Sequence, residues 1–247
     1  MVKSLQQNLT VISLLIYWPV LFVLMHIQVP EQIRRAGVAD KSLHFVSYLI
    51  LVFLLWFAIS PQKKVEWRKG RAWWVFIAIV AFGLIDEVVQ GWTGRSFDLV
   101  DLAVDALSAL TGLVLFSFLS FWHALLLVTG AAVFLLTNVT RKDLGNILPV
   151  TNAFFHLSAY AFFTLLWVNY VRLFLRVRAP SVGWMVTAFA PPLVLLLAGK
   201  SVSVISGKDF SASDVLLAVA AITTVVVSTA VVMLRLRRRM NPKTGTR

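Results

Sequence analysis

The sequence predicts an all-α, polytopic membrane protein of about eight transmembrane helices in two four-helix repeats. Three observations carry that prediction. The 247 residues are 59% hydrophobic and only 14% charged, with a mean hydropathy of +0.84, unlike a soluble domain. The apolar residues fall into eight runs near the ~20-residue length that crosses a bilayer. Two motifs also recur in the same order at nearly one offset. HFVSY (His44–Tyr48) returns 112 residues later as HLSAY (His156–Tyr160), and GRSFDLVD (Gly94–Asp101) returns 113 residues later as GKDFSASD (Gly207–Asp214).

The first run, 9–28, is too long for a signal-peptide core and lacks a small-x-small cleavage site, so it reads as a span. The others are 42–60, 72–91, 99–118, 122–138, 152–171, 182–199 and 211–234. The fourth and fifth form one apolar stretch that has to turn near Phe118–Trp122 without a charge to anchor it. Pro191–Pro192 in the seventh is the kink candidate. Trp56, Trp73, Trp74, Trp92, Trp122 and Trp184 lie near span ends, as an aromatic belt requires; Trp18 does not and reads as packing. The repeat divides the chain into 1–121, which carries the polar cluster, 122–234, a degenerate second copy, and a basic tail, 235–247. Copies of four spans share one orientation, which relates them by an axis along the membrane normal.

The charge is distributed unequally. With the N-terminus in the cytoplasm, the cytoplasmic segments hold 15 of the 23 Lys/Arg and a single acid, Glu66. The inverted topology would export the RLRRRMNPKTGTR tail against the positive-inside rule. Both termini are therefore expected in the cytoplasm. The net charge of +12 reflects this orientation and implies no nucleic-acid partner. With no cysteine, thiolate metal sites and cysteine nucleophiles are excluded.

Five of the eleven acids crowd into twenty residues: Asp86, Glu87, Asp98, Asp101 and Asp105. Asp98, Asp101 and Asp105, at i, i+3, i+7, share one helix face. Asp98 falls at a helix start, where an acid caps the turn and favours the dipole. Asp101 and Asp105 lie one and two turns inside the span; a charge near a span centre costs about 2.5–3.5 kcal/mol, and such residues mark a functional path or a structural polar pair. Asp86 and Gln90 share a face, with Glu87 about 100° away. Lys41, His44 and Tyr48 make one face of the second span, and a carboxylate neighbour would poise His44 as an acid–base group. Arg95, next to Gly94 and before a helix N-terminus, suits either an anion or a salt bridge to Asp98 or Glu87. His26 and His123 take no role, and His156 reads as structural. The eroded copy has Gly199 and Lys200 opposite Asp86 and Glu87, Asn152 opposite Asp40, and Ala218 opposite Asp105. His plus carboxylates is compatible with a divalent cation, without a tight ligand spacing. Ser96, beside Arg95, is the only candidate nucleophilic serine, and no nucleophile-elbow motif supports a hydrolase.

DKSLHFVSY (Asp40–Tyr48), DEVVQ (Asp86–Gln90) and GRSFDLVD (Gly94–Asp101), in this order on span ends, resemble the VanZ-like family. The resemblance covers most of 10–118. It implies a bacterial cytoplasmic (inner) membrane location and importance for Asp40, Lys41, His44, Phe45, Tyr48, Asp86, Glu87, Gln90, Arg95, Asp98 and Asp101. It also implies an association with glycopeptide (teicoplanin) resistance, but no defined reaction.

The leading expectation is an extracytoplasmic-facing site for an anionic envelope molecule, a lipid phosphate or lipid-linked precursor. His44, Glu87 and Asp101 would be the groups for any chemistry. Lys41, Tyr48, Asp86, Gln90, Arg95, Asp98 and Asp105 would hold the ligand. Whether a reaction is catalysed stays open at this point. Five acids repel a phosphate, and a bound divalent cation or protonation would remove that conflict. The alternatives are a lipid or solute carrier without chemistry, and a structural scaffold.

Overall fold

The computed structural model describes residues 2–26, 40–92, 98–138, 149–175, 177, 180–207 and 211–240. Among them lie eight helices and no strand: α1 (Val2–His26), α2 (Asp40–Ile59), α3 (Gly70–Trp92), α4 (Leu99–Phe118), α5 (Phe121–Asn138), α6 (Pro149–Phe174), α7 (Val182–Ile205) and α8 (Ala212–Met240). All eight are long and apolar enough to cross a membrane. The chain is a multi-pass, all-α membrane protein, as its sequence predicts.

Several helices outrun their apolar runs. α1 starts at Val2 rather than residue 9, α7 reaches Ile205 and α8 reaches Met240. Hydropathy marks only the bilayer-length part of a helix. Beyond it, each added residue still gains a backbone hydrogen bond, and Lys, Gln, Leu and Arg are good helix formers. α7 continues through Pro191–Pro192. The uncharged turn after α4 falls where expected. Leu119 N–H donates to Leu115 O, Ala124 N–H donates to Ser120 O at 2.9 Å, and Ser120 Oγ lies 2.7 Å from His123 Nδ1.

The helices pack as two compact units, Met1–Val139 and Thr140–Arg247. This packing boundary follows α5, whereas the motif repeat expected from the sequence begins before it.

In the first unit α2 is central, packing against α1, α3, α4 and α5. Its span is 56% buried, against 22% for α1, because α2 is apolar all round and has neighbours on every side. On α1, Leu9, Ile12, Leu15, Ile16, Val20, Val23 and Leu24 face outward, a stripe suited to lipid. At one end Phe53, Phe57, Phe116 and Phe121 interlock with ring centroids 5.2–5.8 Å apart across helices. The loop after α2 is fastened there: Val65 N–H donates to Phe116 O at 3.0 Å, Trp67 Nε1–H to Ser117 Oγ at 2.9 Å, and Trp56 Nε1–H to Lys63 O at 2.9 Å. Gly112 lets α4 close on α2, since a Cβ there would sit 2.5 Å from Val52 Cγ1. Trp18 packs edge-on against Phe82 at 5.4 Å, the packing role its mid-span position suggests.

In the second unit α6, α7 and α8 pack on one another pairwise, burying Tyr160, Trp184, Ala218 and Ile222.

Candidate functional site

Because α2, α3 and α4 alternate in direction, the start of α2, the end of α3 and the start of α4 meet at one end of the first unit. It is the end opposite the phenylalanine cluster. His44, one turn into α2, is fully buried there. Asp101 and Asp105 are i, i+4 on α4 and so share a face, and they bracket the imidazole. Nδ1 lies 3.1 Å from Asp105 Oδ1, and Nε2 lies 3.9 Å from Asp101 Oδ2. Tyr48, a turn further along α2, stacks on the ring with centroids 6.2 Å apart and an interplanar angle of 10°.

Glu87 enters from α3 and is fully buried. Its Oε2 accepts a 2.9 Å hydrogen bond from Asp98 N–H. Its Oε1 is buried and finds no hydrogen-bond partner among the described residues. Asp98 is the N-cap of α4, accepting from Val100 N–H at 2.8 Å. That bond, with Lys41 nearby, holds the Asp98 carboxyl below the usual aspartate range. Lys41 Nζ stands 3.5 Å from both Asp98 Oδ2 and Asp101 Oδ1. The Lys41 side chain is 54% exposed and forms the rim.

Asp86 and Gln90 make a pair of their own. Gln90 Nε2–H donates to Asp86 Oδ2 at 2.9 Å, and Asp86 Oδ1 lies 3.7 Å from His26 Nδ1 of α1. The sequence separates Asp86 from Glu87 by about 100° of helix; in the fold this sends Glu87 toward α2 and α4 and Asp86 toward α1. The structure thus brings His44, Glu87, Asp101 and Asp105 together, with Tyr48 beside the ring and Lys41 and Asp98 at the rim. The side chain of Asp40 and the whole of Arg95 lie outside the described residues. Phe45 packs against the core, and its carbonyl accepts from Ser108 Oγ at 3.0 Å.

Three contributors escape the sequence argument. His26 ends a span, a position that gives it no predicted partner. Gly83 is needed because a Cβ would sit 2.9 Å from Asp105 Oδ2. Ser108 ties α4 to α2. The latter two carried a weak signal: Gly83 lies at i−4 from Glu87, and Ser108 at i+3 from Asp105, on the same faces.

A second polar cluster lies within the second unit. His156 Nε2 is 3.4 Å from Asp214 Oδ2, Lys200 Nζ donates to the same oxygen at 2.8 Å, and Asn152 Nδ2 donates to Asp214 Oδ1 at 2.7 Å. Tyr160 stacks on His156 at 6.2 Å and 9°. Asp214 is thereby satisfied by a cation and an amide, an internally neutral arrangement.

The first cluster is not balanced in this way. An imidazole with a carboxylate on each side can exchange a proton with Asp101 or Asp105. The donor set His44, Glu87 and Asp101 also offers ligand atoms within 4.8 Å of one another, a mixed nitrogen and oxygen set suited to a borderline divalent ion.

The VanZ/LLP1 family model matches residues 3–123, a stretch that contains the whole of the first cluster. No curated protein and no solved structure matches the chain.

Proposed function

We propose that this chain, which belongs to the VanZ-like family through residues 3–123, binds an anionic cell-envelope molecule at the polar end of its first unit. The ligand class is a lipid phosphate or lipid-linked precursor. The observation that carries this reading is the buried His44–Asp105 pair, 3.1 Å apart, beside Glu87, whose Oε1 has no hydrogen-bond partner among the described residues, inside helices of bilayer length. Inserting a charge costs up to about 2.5–3.5 kcal/mol, the value at a span centre, and several buried ionisable groups share this end. Interhelical polar contacts in membranes contribute only ~0.6 kcal/mol on average. Helix locking does not offset that cost, so a ligand path accounts for the residues better than a scaffold does.

Lys41, half-exposed at the rim, supplies the entrance with a cation. The α4 N-terminus offers its dipole to an anion, although Asp98 already occupies the cap. His44 is the group suited to move a proton, with Asp105 orienting its ring. Glu87 and Asp101 sit on the side where a ligand headgroup would meet the imidazole. The positive-inside rule puts this end outside the cytoplasm and both termini within it, in a bacterial cytoplasmic membrane. A link to glycopeptide resistance rests on the family resemblance alone. A second reading, a proton-coupled carrier without chemistry, is favoured by Asp86, Glu87 and Asp105 being fully buried acids within spans.

The test is native mass spectrometry of the gently solubilised chain, titrated with phosphatidylglycerol, a polyprenyl phosphate and phosphatidylcholine. Retention of the anionic lipids over phosphatidylcholine, lost in Lys41→Ala and His44→Ala variants that remain folded, is expected. Equal retention of all three would refute the reading. Turnover of a bound lipid, or proton-dependent flux in vesicles, then separates the enzyme from the carrier.

A further inference from the structure

We infer that His44, Glu87 and Asp101 hold a divalent cation of borderline character, Mn2+ or Zn2+, and that Lys200 stands in for that cation in the second unit. This deepens the reading above, on which it rests, by saying how an acidic site takes a phosphate: through the ion.

Geometry is the first support. The three side chains offer ligand atoms within 4.8 Å of one another, a set that a small inward movement would bring to the ~3.4 Å between two ligands of a tetrahedral ion at about 2.1 Å. His44 is presented as a metal-ligating histidine should be. Asp105 Oδ1 at 3.1 Å from Nδ1 fixes that nitrogen as the N–H donor and leaves the Nε2 lone pair toward Asp101. This is the carboxylate–histidine–metal arrangement. With His44 neutral and no cation, that lone pair would face the Asp101 carboxylate; protonation of the ring is the competing solution. Glu87 is fully buried, and its Oε1 has no hydrogen-bond partner among the described residues, which is costly unless something binds it. The charges agree. Among the described residues, Glu87, Asp98, Asp101 and Asp105 are set against Lys41 alone, and with His44 neutral this leaves a negative excess that a divalent ion would reduce.

The second unit supplies an independent comparison. At the offsets of 112 and 113, His156 corresponds to His44, Tyr160 to Tyr48 and Asp214 to Asp101. These shared residues keep their geometry: the His–Tyr stacks are 6.2 Å in both units, and His Nε2 faces the Asp at 3.9 and 3.4 Å. The differences form a set. Lys200 takes the place of Glu87, and its ammonium lies 2.8 Å from Asp214 Oδ2. Ala218 takes the place of Asp105, and His156 Nδ1 has no hydrogen-bond partner among the described residues. One ligand has become a tethered cation, and the carboxylate that orients the histidine is gone. Both changes fit a second cluster that is balanced without an ion. Three protein ligands leave coordination positions open, where a phosphate oxygen can bind the ion directly despite the nearby acids.

The experiment uses the full chain carrying a tag without histidine, stripped with chelator and titrated with Mn2+ or Zn2+. Bound ion is counted by elemental mass spectrometry and, for Mn2+, by paramagnetic resonance. One ion per chain is expected for the natural sequence. Glu87→Lys should stay monodisperse and folded, because it copies the second unit's solution, yet bind no ion at that site. Asp105→Asn should weaken the ion about 10–100-fold. Lys200→Glu combined with Ala218→Asp should bind a second ion. Absence of any ion from the natural chain overturns the inference and leaves protonation as the means of balancing the acids. So does an unchanged ion in Glu87→Lys. If Glu87→Lys does not fold, Glu87→Gln gives the same reading, since an unchanged affinity there is equally fatal. Lipid retention measured on the same stripped and loaded samples keeps the two claims apart. An ion without anionic lipid sustains this inference while refuting the ligand; anionic lipid held equally by ion-free protein does the reverse.

Discussion

Replacing Gly83 with alanine should disturb the His44 site far more than the fold. The added Cβ would lie 2.9 Å from Asp105 Oδ2, 3.3 Å from Leu102 Cδ1 and 3.4 Å from Asp105 Cβ. Relief requires the Asp105 carboxylate to move by about half an ångström to reach ordinary contact distance. A shift of that size away from the ring takes its 3.1 Å contact with His44 Nδ1 to about 3.6 Å, beyond a hydrogen bond. Losing a bond to a charged group costs about 1.5–3 kcal/mol, and the better helix propensity of alanine returns about 1 kcal/mol. The net stability change is therefore about 1 kcal/mol. The orienting contact is lost nearly whole, which lowers ion affinity about 10–100-fold. The assays are reversible unfolding in mixed micelles, followed by tryptophan fluorescence, together with ion titration and 15N spectra of the His44 ring. Gly112→Ala is the control. Its Cβ would meet Val52 Cγ1 at 2.5 Å in the α2–α4 seam, an overpacking that costs about 1–3 kcal/mol, with the affinity of the folded protein unchanged. A Gly83→Ala protein with natural His44 15N shifts and natural ion affinity would refute the reasoning.

Other outcomes follow from the same contacts. Lys200→Ala strands Asp214 in a buried site and should destabilise the second unit by about 3–5 kcal/mol, with much of that recovered by adding Asp214→Asn; unfolding titrations of the single and double variants check it. Asp98 has a lowered carboxyl pKa, caused first by Val100 N–H and then by Lys41. Its contribution is therefore fully present above the unfolded value near ~3.9 and drains away as pH falls through the lower folded value. Asp98→Asn should flatten stability against pH in that acid window, lower it near neutrality where the natural contribution is fully present, and match the natural chain below the folded value. A reporter fused after Arg247 should be active only in its cytoplasmic form, and an exported reporter would reverse the orientation assigned to the polar end. Trp67→Phe removes the 2.9 Å bond to Ser117 Oγ and should cost about 1 kcal/mol in the same unfolding assay, with lipid retention unaffected.

The helices were legible because hydropathy is a local property. Eight apolar runs became eight helices, and even the uncharged turn between α4 and α5 appeared where an unbroken apolar stretch had to fold back. The polar cluster was partly legible for the same reason: His44 with Tyr48 and Asp101 with Asp105 each share a helix face, and Glu87 stands apart from Asp86 by one residue of rotation. His26 was not legible, and Gly83 and Ser108 were only faintly so, through the faces they share with Glu87 and Asp105. Their importance comes from what a neighbouring helix places against them, and no pattern within one span records that.

The sequence alone therefore determined how many times the chain is helical at bilayer length, which residues are ionisable within those lengths, and on which face of its own helix each one lies. Only the tertiary structure decided that Asp105 rather than Asp101 takes His44 Nδ1, that Glu87 keeps one oxygen without a hydrogen-bond partner among the described residues, and that Lys200 neutralises Asp214. The physical reason is that a face is fixed by the ~3.6-residue period within one segment, whereas a partner is fixed by the rotation and approach of two segments. In the first unit that approach depends on Gly83 and Gly112, which bring α4 close to α3 and to α2.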